Sequence, residues 1–205
     1  LLDRADVRAT RRILQRSYYL AALQVLPAAP PWGALSGVRP TKLSTKCLMA
    51  GGSEKDAEKL LREVYFVSPE RARLCVDASR HTVEASKLLD ADDLSVYIGI
   101  PFCPTTCLYC SFTSYPIFSW EKRVSEYLTA LEKEIDFVSS FYQDKILDTI
   151  YIGGGTPTTL KAPELERLLS YIEAKLDLSH LQEFTVEAGR ADSITRDKLG
   201  VLRKH

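Results

Sequence analysis

Cys103, Cys107 and Cys110 fall within eight residues of the run Tyr97-Ile-Gly-Ile-Pro-Phe-Cys-Pro-Thr-Thr-Cys-Leu-Tyr-Cys110, spaced C-x3-C-x2-C. Thiolates are soft ligands that suit iron–sulfur clusters or zinc. A closed tetrahedral zinc site or an ordinary ferredoxin cluster takes four protein ligands. Three thiolates from one loop leave one cluster iron open to a ligand that is not protein. An open iron is what radical chemistry on S-adenosylmethionine (SAM) requires, because that cofactor can chelate it directly. Phe102, Leu108, Tyr109 and Phe112 are expected to surround the thiols with apolar bulk, and Pro101 and Pro104 to stiffen the loop. The competing reading is structural zinc with Cys47 or Cys75 as fourth ligand. Both of those lie in helical stretches and read more naturally as small buried hydrophobes.

Two further features have chemical content. Gly153-Gly154-Gly155-Thr156-Pro157 follows an apolar run, and three glycines let backbone approach a ligand closely with its amides exposed. No Gly-Lys-Ser/Thr follows and no G-x-G-x-x-G is present, so neither a Walker A loop nor a dinucleotide fingerprint is indicated. Beside an open-iron loop the run suits the methionine end of SAM; alone it could be a tight strand-to-helix turn. Glu187 closes another β-rich run and is a candidate ligand-binding carboxylate. His81, His180 and His205 lie far apart and form no ligand spacing, and His81 reads as a helix-surface residue.

The elements that must position these groups follow from periodicity. The first ninety residues read as helix and loop. Helices are expected over 3–26, with Ile13, Leu14, Tyr18, Leu20 and Leu23 as its apolar stripe, and over 41–49, 54–65 behind a Ser53 cap, and 69–89 behind Ser68. From Asp90 the pattern alternates. Strands are expected over 94–100, 146–152 and 183–187, and helices over 121–141, 163–176 and from 194 onward. A β-α-β-α-β-α order implies parallel strands joined by right-handed crossovers. Functional groups in such folds gather at the carboxyl ends of the strands. Cysteine loop, glycine run and Glu187 each stand at one.

Bulk properties fit this reading. The chain has 205 residues, 45% of them hydrophobic and 26% charged, as in a globular protein able to bury a core. The net charge of zero is uneven: residues 1–50 carry eight Lys/Arg against two Asp/Glu, and 51–205 nineteen against twenty-five. Arg4, Arg8, Arg11, Arg12 and Arg16 read as a solvated helix face, with a surface for an anionic partner as the sharper alternative. No run is long and apolar enough for a membrane span, no basic stretch interleaved with aromatics suggests nucleic-acid binding, and the opening residues do not resemble a signal peptide. Five cysteines, three of them crowded, argue for a reducing compartment, so a cytoplasmic location is expected. Both ends read as cut, with no initiator Met and a helix in progress at His205, and a fragment is expected.

Tyr97 to Cys110, Gly153-Gly-Gly-Thr-Pro-Thr158 and Glu187 resemble the radical SAM superfamily. The string Ile-Pro-Phe-Cys-x3-Cys-x-Tyr-Cys is similar, more narrowly, to the oxygen-independent coproporphyrinogen III oxidase (coproporphyrinogen dehydrogenase) family. Residues 36–43 (Ser-Gly-Val-Arg-Pro-Thr-Lys-Leu) and 184–190 (Phe-Thr-Val-Glu-Ala-Gly-Arg) resemble a branch with an added helical N-terminal region. The resemblance implies an α/β fold, the first half of a partial (β/α) barrel, with a helical region over 1–93 and a radical SAM core over 94–205. It implies that Cys103, Cys107 and Cys110 bind a 4Fe–4S cluster. Tyr97, Tyr109, Gly154, Gly155, Thr156 and Glu187 would contact SAM.

The implied activity is oxidative decarboxylation of coproporphyrinogen III in heme biosynthesis. In it, a 5′-deoxyadenosyl radical removes hydrogen from a substrate propionate that becomes a vinyl group, and an external donor supplies electrons. No residue is assigned a catalytic role beyond cofactor binding. Three β-α units are roughly half of the family's barrel, so this stretch by itself is a candidate for inactivity. Gly99 stands where the family commonly has His, and Phe112 where its oxidase has a further Cys. Heme-handling relatives without oxidase activity make a heme-binding or heme-delivery protein the alternative, and a zinc-stapled helical module a third reading.

Overall fold

A computed structural model describes residues 4–35 and 39–205. Ser36, Gly37 and Val38 of the 36–43 motif, and the side chains of Arg4 and Arg8, lie outside the described part. Packing divides the chain into two compact units, one up to Asp90 and the other from Ala91 on.

The first unit contains α1 (Arg4–Ala22), α2 (Thr41–Met49), α3 (Glu54–Lys59) and α4 (Pro69–Ser86). Ser53 and Asp56 close a reciprocal capping box, with Asp56 N donating to Ser53 Oγ at 3.2 Å and Ser53 N to Asp56 Oδ2 at 2.9 Å. The helix expected over 54–65 departs from α geometry at Leu60–Val64, which forms a π turn. Leu61, Val67, Ala72, Cys75 and Val76 form the core here, with Cys47 packed against it. Burial pushes the Cys75 thiol up from its usual pKa, as for a small core hydrophobe. The apolar stripe expected to anchor α1 does not do so. Ile13 and Tyr18 are 64% and 80% exposed, and Tyr19 is buried instead, its ring stacked 5.3 Å from that of Phe66. Arg16 lies over the same Phe66 ring at 5.2 Å, so one residue of α3's following loop organises this end of the helix.

In the second unit β1 (Asp93–Ile100), β4 (Ile146–Gly154) and β5 (Glu183–Val186) form a parallel sheet in the order β1-β4-β5. Two short strands, β2 (Phe102–Cys103) and β3 (Tyr115–Pro116), pair in parallel beyond the end of β1. They are followed by α5 (Ile117–Trp120) and α6 (Val124–Phe141), while α7 (Ala162–Lys175) and α8 (Arg196–Lys204) flank β5 in sequence. This is the expected α/β class, with parallel strands behind a helical N-terminal region.

Alternation along the strands separates two faces. Ile98, Ile100, Ile150 and Ile152 are buried in one core with Val124, Leu128, Leu131 and Ile135 of α6 and Leu165, Leu168, Leu169 and Ile172 of α7. One residue out of step, Ser95, Tyr97 and Gly99 of β1 register with Thr149, Tyr151 and Gly153 of β4. On that second face Thr149 Oγ1 donates to Ser95 Oγ at 2.9 Å and the Tyr97 and Tyr151 rings stack at 5.8 Å.

Candidate functional site

The cysteine loop leaves β1 at Pro101 and is pinned at both ends. Phe102 and Cys103 pair with Tyr115 and Pro116, and Tyr115 N donates to Pro101 O at 2.7 Å. Cys103 is buried at the foot of the loop, Cys110 is partly covered and Cys107 is exposed. Cys110 N donates to Cys107 O at 3.0 Å, so the last two cysteines lie on one tight turn. Among the described residues no group of three His, Cys, Asp or Glu is drawn close enough to hold a metal ion. The thiols share a loop but do not converge on one point. The apolar surround expected of them is also partial. Phe102 is buried, whereas Leu108, Tyr109 and Phe112 are exposed, because they project from the loop between its pinned ends rather than into the core.

The glycine turn meets this loop directly. Gly155 N donates to Ile100 O and Thr156 N to Phe102 O, both at 2.8 Å, which carries the β1–β4 pairing past the strand ends. Gly154 adopts φ +107°, and a Cβ there would lie 3.0 Å from both N and O of Ile100. At Gly155 a Cβ would come within 2.9 Å of Cys103 Sγ and 2.8 Å of Phe102 O. Thr156 is buried with its Oγ1 3.4 Å from Cys103 Sγ. The cradle is therefore kept open beside the Cys103 thiol by missing side chains, and the soft donor set of the loop is one that fits a cluster.

Glu187 lies just past β5, where its N–H continues the ladder to Ile152 O at 2.9 Å. Its Oε1 accepts from Tyr151 Oη at 2.5 Å. This bond, ahead of burial, raises the Tyr151 phenol above its ordinary pKa. A Cβ on Gly153 would fall 2.9 Å from Tyr97 Oη and 3.2 Å from Glu187 Oε2, so Tyr97, Gly153 and Glu187 converge. Tyr97 is 63% exposed over this group, whereas Tyr109 is 90% exposed and takes no part in the stack. Gly99, on the same face, has room for a side chain: a Cβ would meet only Tyr97 Cε1, at 3.8 Å.

Two residues not expected at the site belong to its surroundings. Tyr151 reads in sequence as an ordinary aromatic strand former, and only the β4–β5 register brings it to Glu187. Arg190 donates through Nη1 to Thr105 in the cysteine loop, a contact across 85 positions of sequence that no local pattern announces.

No protein-family profile matches the chain. An oxygen-independent coproporphyrinogen-III oxidase-like protein, HemZ, of Bacillus subtilis is 40% identical over 179 residues, 85% of this chain and 36% of that protein. The heme chaperone HemW of the same organism is 42% identical over 111 residues, 54% of this chain and 28% of that protein. The HemW of Lactococcus lactis is 46% identical over 98 residues, 48% of this chain and 24% of that protein. The chain thus spans about a third or less of the length of these relatives. The solved structure of coproporphyrinogen III oxidase from Escherichia coli, described as a radical SAM enzyme, is 27% identical, with a TM-score of 0.48 over 61% of this chain and 28% of that one. The HemZ alignment is longer than the second unit, so it extends into the helical one, while the HemW alignments are short enough to lie within the second unit. No helix among the described residues is long and apolar enough to cross a membrane.

Proposed function

We propose that this chain, which belongs to the oxygen-independent coproporphyrinogen III oxidase-like family of radical SAM proteins, carries the cofactor-binding half of an enzyme that oxidatively decarboxylates coproporphyrinogen III or a related tetrapyrrole. Cys103, Cys107 and Cys110 would hold a 4Fe–4S cluster, and Tyr97, Tyr109, Gly154, Gly155, Thr156 and Glu187 would hold SAM. When bound, that pair supplies one-electron cleavage and hydrogen-abstraction chemistry. The observation that carries the reading is the meeting of three strand ends: Cys103 Sγ lies 3.4 Å from Thr156 Oγ1, and the same glycine turn adjoins Tyr97 and Glu187.

The protein's own part is positioning and shielding. The glycine turn offers close backbone approach, and its buried Thr156 hydroxyl stands at the foot of the cysteine loop. Glu187, restrained by Tyr151, presents its second oxygen toward Gly153 as an acceptor for a cationic or N–H-bearing ligand end. The stacked Tyr97 and Tyr151 rings make a wall for it. Beneath, the isoleucine face packed on α6 and α7 excludes water from the strands that carry the groups. The remainder of the barrel, the tetrapyrrole pocket and an external electron donor would come from outside this stretch.

Anaerobic reconstitution with iron and sulfide, followed by reduction with SAM, tests the reading. Iron and sulfide retained with a visible absorption band, and 5′-deoxyadenosine formed, are the expected results. A Cys107→Ala form that behaves like wild type overturns it. The heme-delivery alternative has its own support in the 42% and 46% identities to proteins called heme chaperones. Tight stoichiometric heme binding by a longer form of the protein that consumes no coproporphyrinogen would favour it.

A further inference from the structure

The guanidinium of Arg190 is divided between two tasks. Its Nε and Nη2 edge is engaged bidentately by Asp192, at 3.0 Å to Oδ1 and 2.6 Å to Oδ2. The remaining nitrogen, Nη1, reaches the cysteine loop and donates to Thr105 Oγ1 at 2.9 Å and to Thr105 O at 3.2 Å. Thr105 is the middle residue of the x3 segment between Cys103 and Cys107. A carboxylate on one edge of a planar fork fixes the direction of the other, so Asp192 aims Nη1. The Arg190 side chain is 26% exposed, too covered to be a freely sampling surface cation.

The platform carrying Arg190 is itself tied to the glycine turn. Ser193 N and Oγ donate to Arg190 O at 3.0 and 2.7 Å, and Ser193 Oγ lies 2.6 Å from Thr158 Oγ1, both side chains buried. Lys198 Nζ donates to Thr158 O at 2.6 Å and to Ser193 O at 2.9 Å, and its pKa is lowered by burial. These bonds complete a circuit. From Cys103 it runs through Thr156 to Thr158, across to Ser193 and Arg190, and back through Thr105 to the loop that began it.

We infer that Arg190 is a positioning residue that clamps the cysteine loop through Thr105 and turns the positive end of the Arg190–Asp192 pair toward the cluster that the loop would hold. The inference rests on the cluster reading of Cys103, Cys107 and Cys110 and adds a residue to it. An ordinary ion-pair role would require only Asp192. It gives no account of why Nη1 spans to the loop with two bonds, one of them to a backbone carbonyl. A positive pole held there, with its carboxylate partner on the far edge, would raise the reduction potential of the bound cluster, because it stabilises the more negative, reduced state.

The test compares wild type with Arg190→Gln, Arg190→Lys and Thr105→Ala. In the unloaded protein a double-mutant cycle between Arg190→Gln and Thr105→Ala should be non-additive, by about threefold to tenfold in the unfolding equilibrium constant. Additive effects overturn the clamp. In the reconstituted protein Arg190→Gln should release iron to a chelator about tenfold faster and show a more negative midpoint potential, with Arg190→Lys recovering the potential but not the release rate. Non-additivity with unchanged release and potential confines the contact to folding and overturns the inference. Wild type that takes up no iron defeats the cluster reading instead, while the cycle still decides the clamp.

Discussion

Ile98, Ile100, Ile150 and Ile152 project one way from β1 and β4 and are closed off by α6 and α7. Tyr97, Gly99 and Tyr151, one residue out of step on the same strands, project the other way and stay at least partly open. Identical backbone hydrogen bonding supports both sets, so side-chain chemistry alone separates a face that holds the sheet together from a face left open to a ligand. A one-residue register slip would exchange them, and the isoleucines make that slip costly.

Substitutions on the two faces should therefore fail in different assays. The largest effect belongs to the helix-covered face. Ile152→Ala should cost about 2–5 kcal/mol in denaturant unfolding, since its side chain is fully buried. If SAM affinity fell while stability held, the division between faces would be wrong. Gly155→Ala tests the place where the faces meet at the strand ends. Two of the atoms nearest its new Cβ are backbone carbonyl oxygens, which cannot swing aside, so a cost of about 1–3 kcal/mol is expected together with loss of iron retention.

On the open face Glu187→Gln should weaken SAM binding about tenfold by equilibrium dialysis and change unfolding by no more than about 0.5 kcal/mol. A destabilised protein with normal SAM affinity would place Glu187 with the structural residues instead.

Tyr151→Phe gives a smaller, pH-dependent signal. Donation to Glu187 favours the neutral phenol and raises its folded pKa above the ordinary 10.0. The stabilisation is complete below the unfolded value and is lost as pH rises through the folded one. Wild type should lose its advantage over Tyr151→Phe only in that alkaline window, as read from unfolding midpoints. A constant difference across it would mean that the bond to Glu187 contributes nothing. The smallest effect is expected at Ser95→Ala, within about 0.5 kcal/mol, because its bond to Thr149 is exposed.

The contrast also explains what could be read from the sequence. Alternating isoleucines, and leucines at three- and four-residue spacing, gave away the strands and helices of the second unit because burial on one face imposes a period. The cysteine loop, glycine turn and Glu187 were visible because each ends such a run. Tyr151 was not, since any aromatic suits a strand and its partner is fixed by β4–β5 register. Arg190 was hidden for the same reason at greater distance. In the first unit a regular apolar spacing in α1 misled, because most of that stripe is exposed and Tyr19, outside it, makes the buried contact. The π turn after α3 leaves no composition signal at all. Sequence periodicity reports burial where an element has a covered face, and little where it does not.

The two-residue pairing of β2 with β3 bears on how the cysteine loop tolerates substitution. It closes the cysteine loop on itself, outside the three-stranded sheet, whose register includes no cysteine. Its anchoring bonds run between the backbones of Pro101–Cys103 and Tyr115–Pro116 and involve neither Cys107 nor Cys110. Replacing either of those two thiols should therefore leave the loop's ends tied to each other, so that iron lost by such a variant reports on ligation and not on folding.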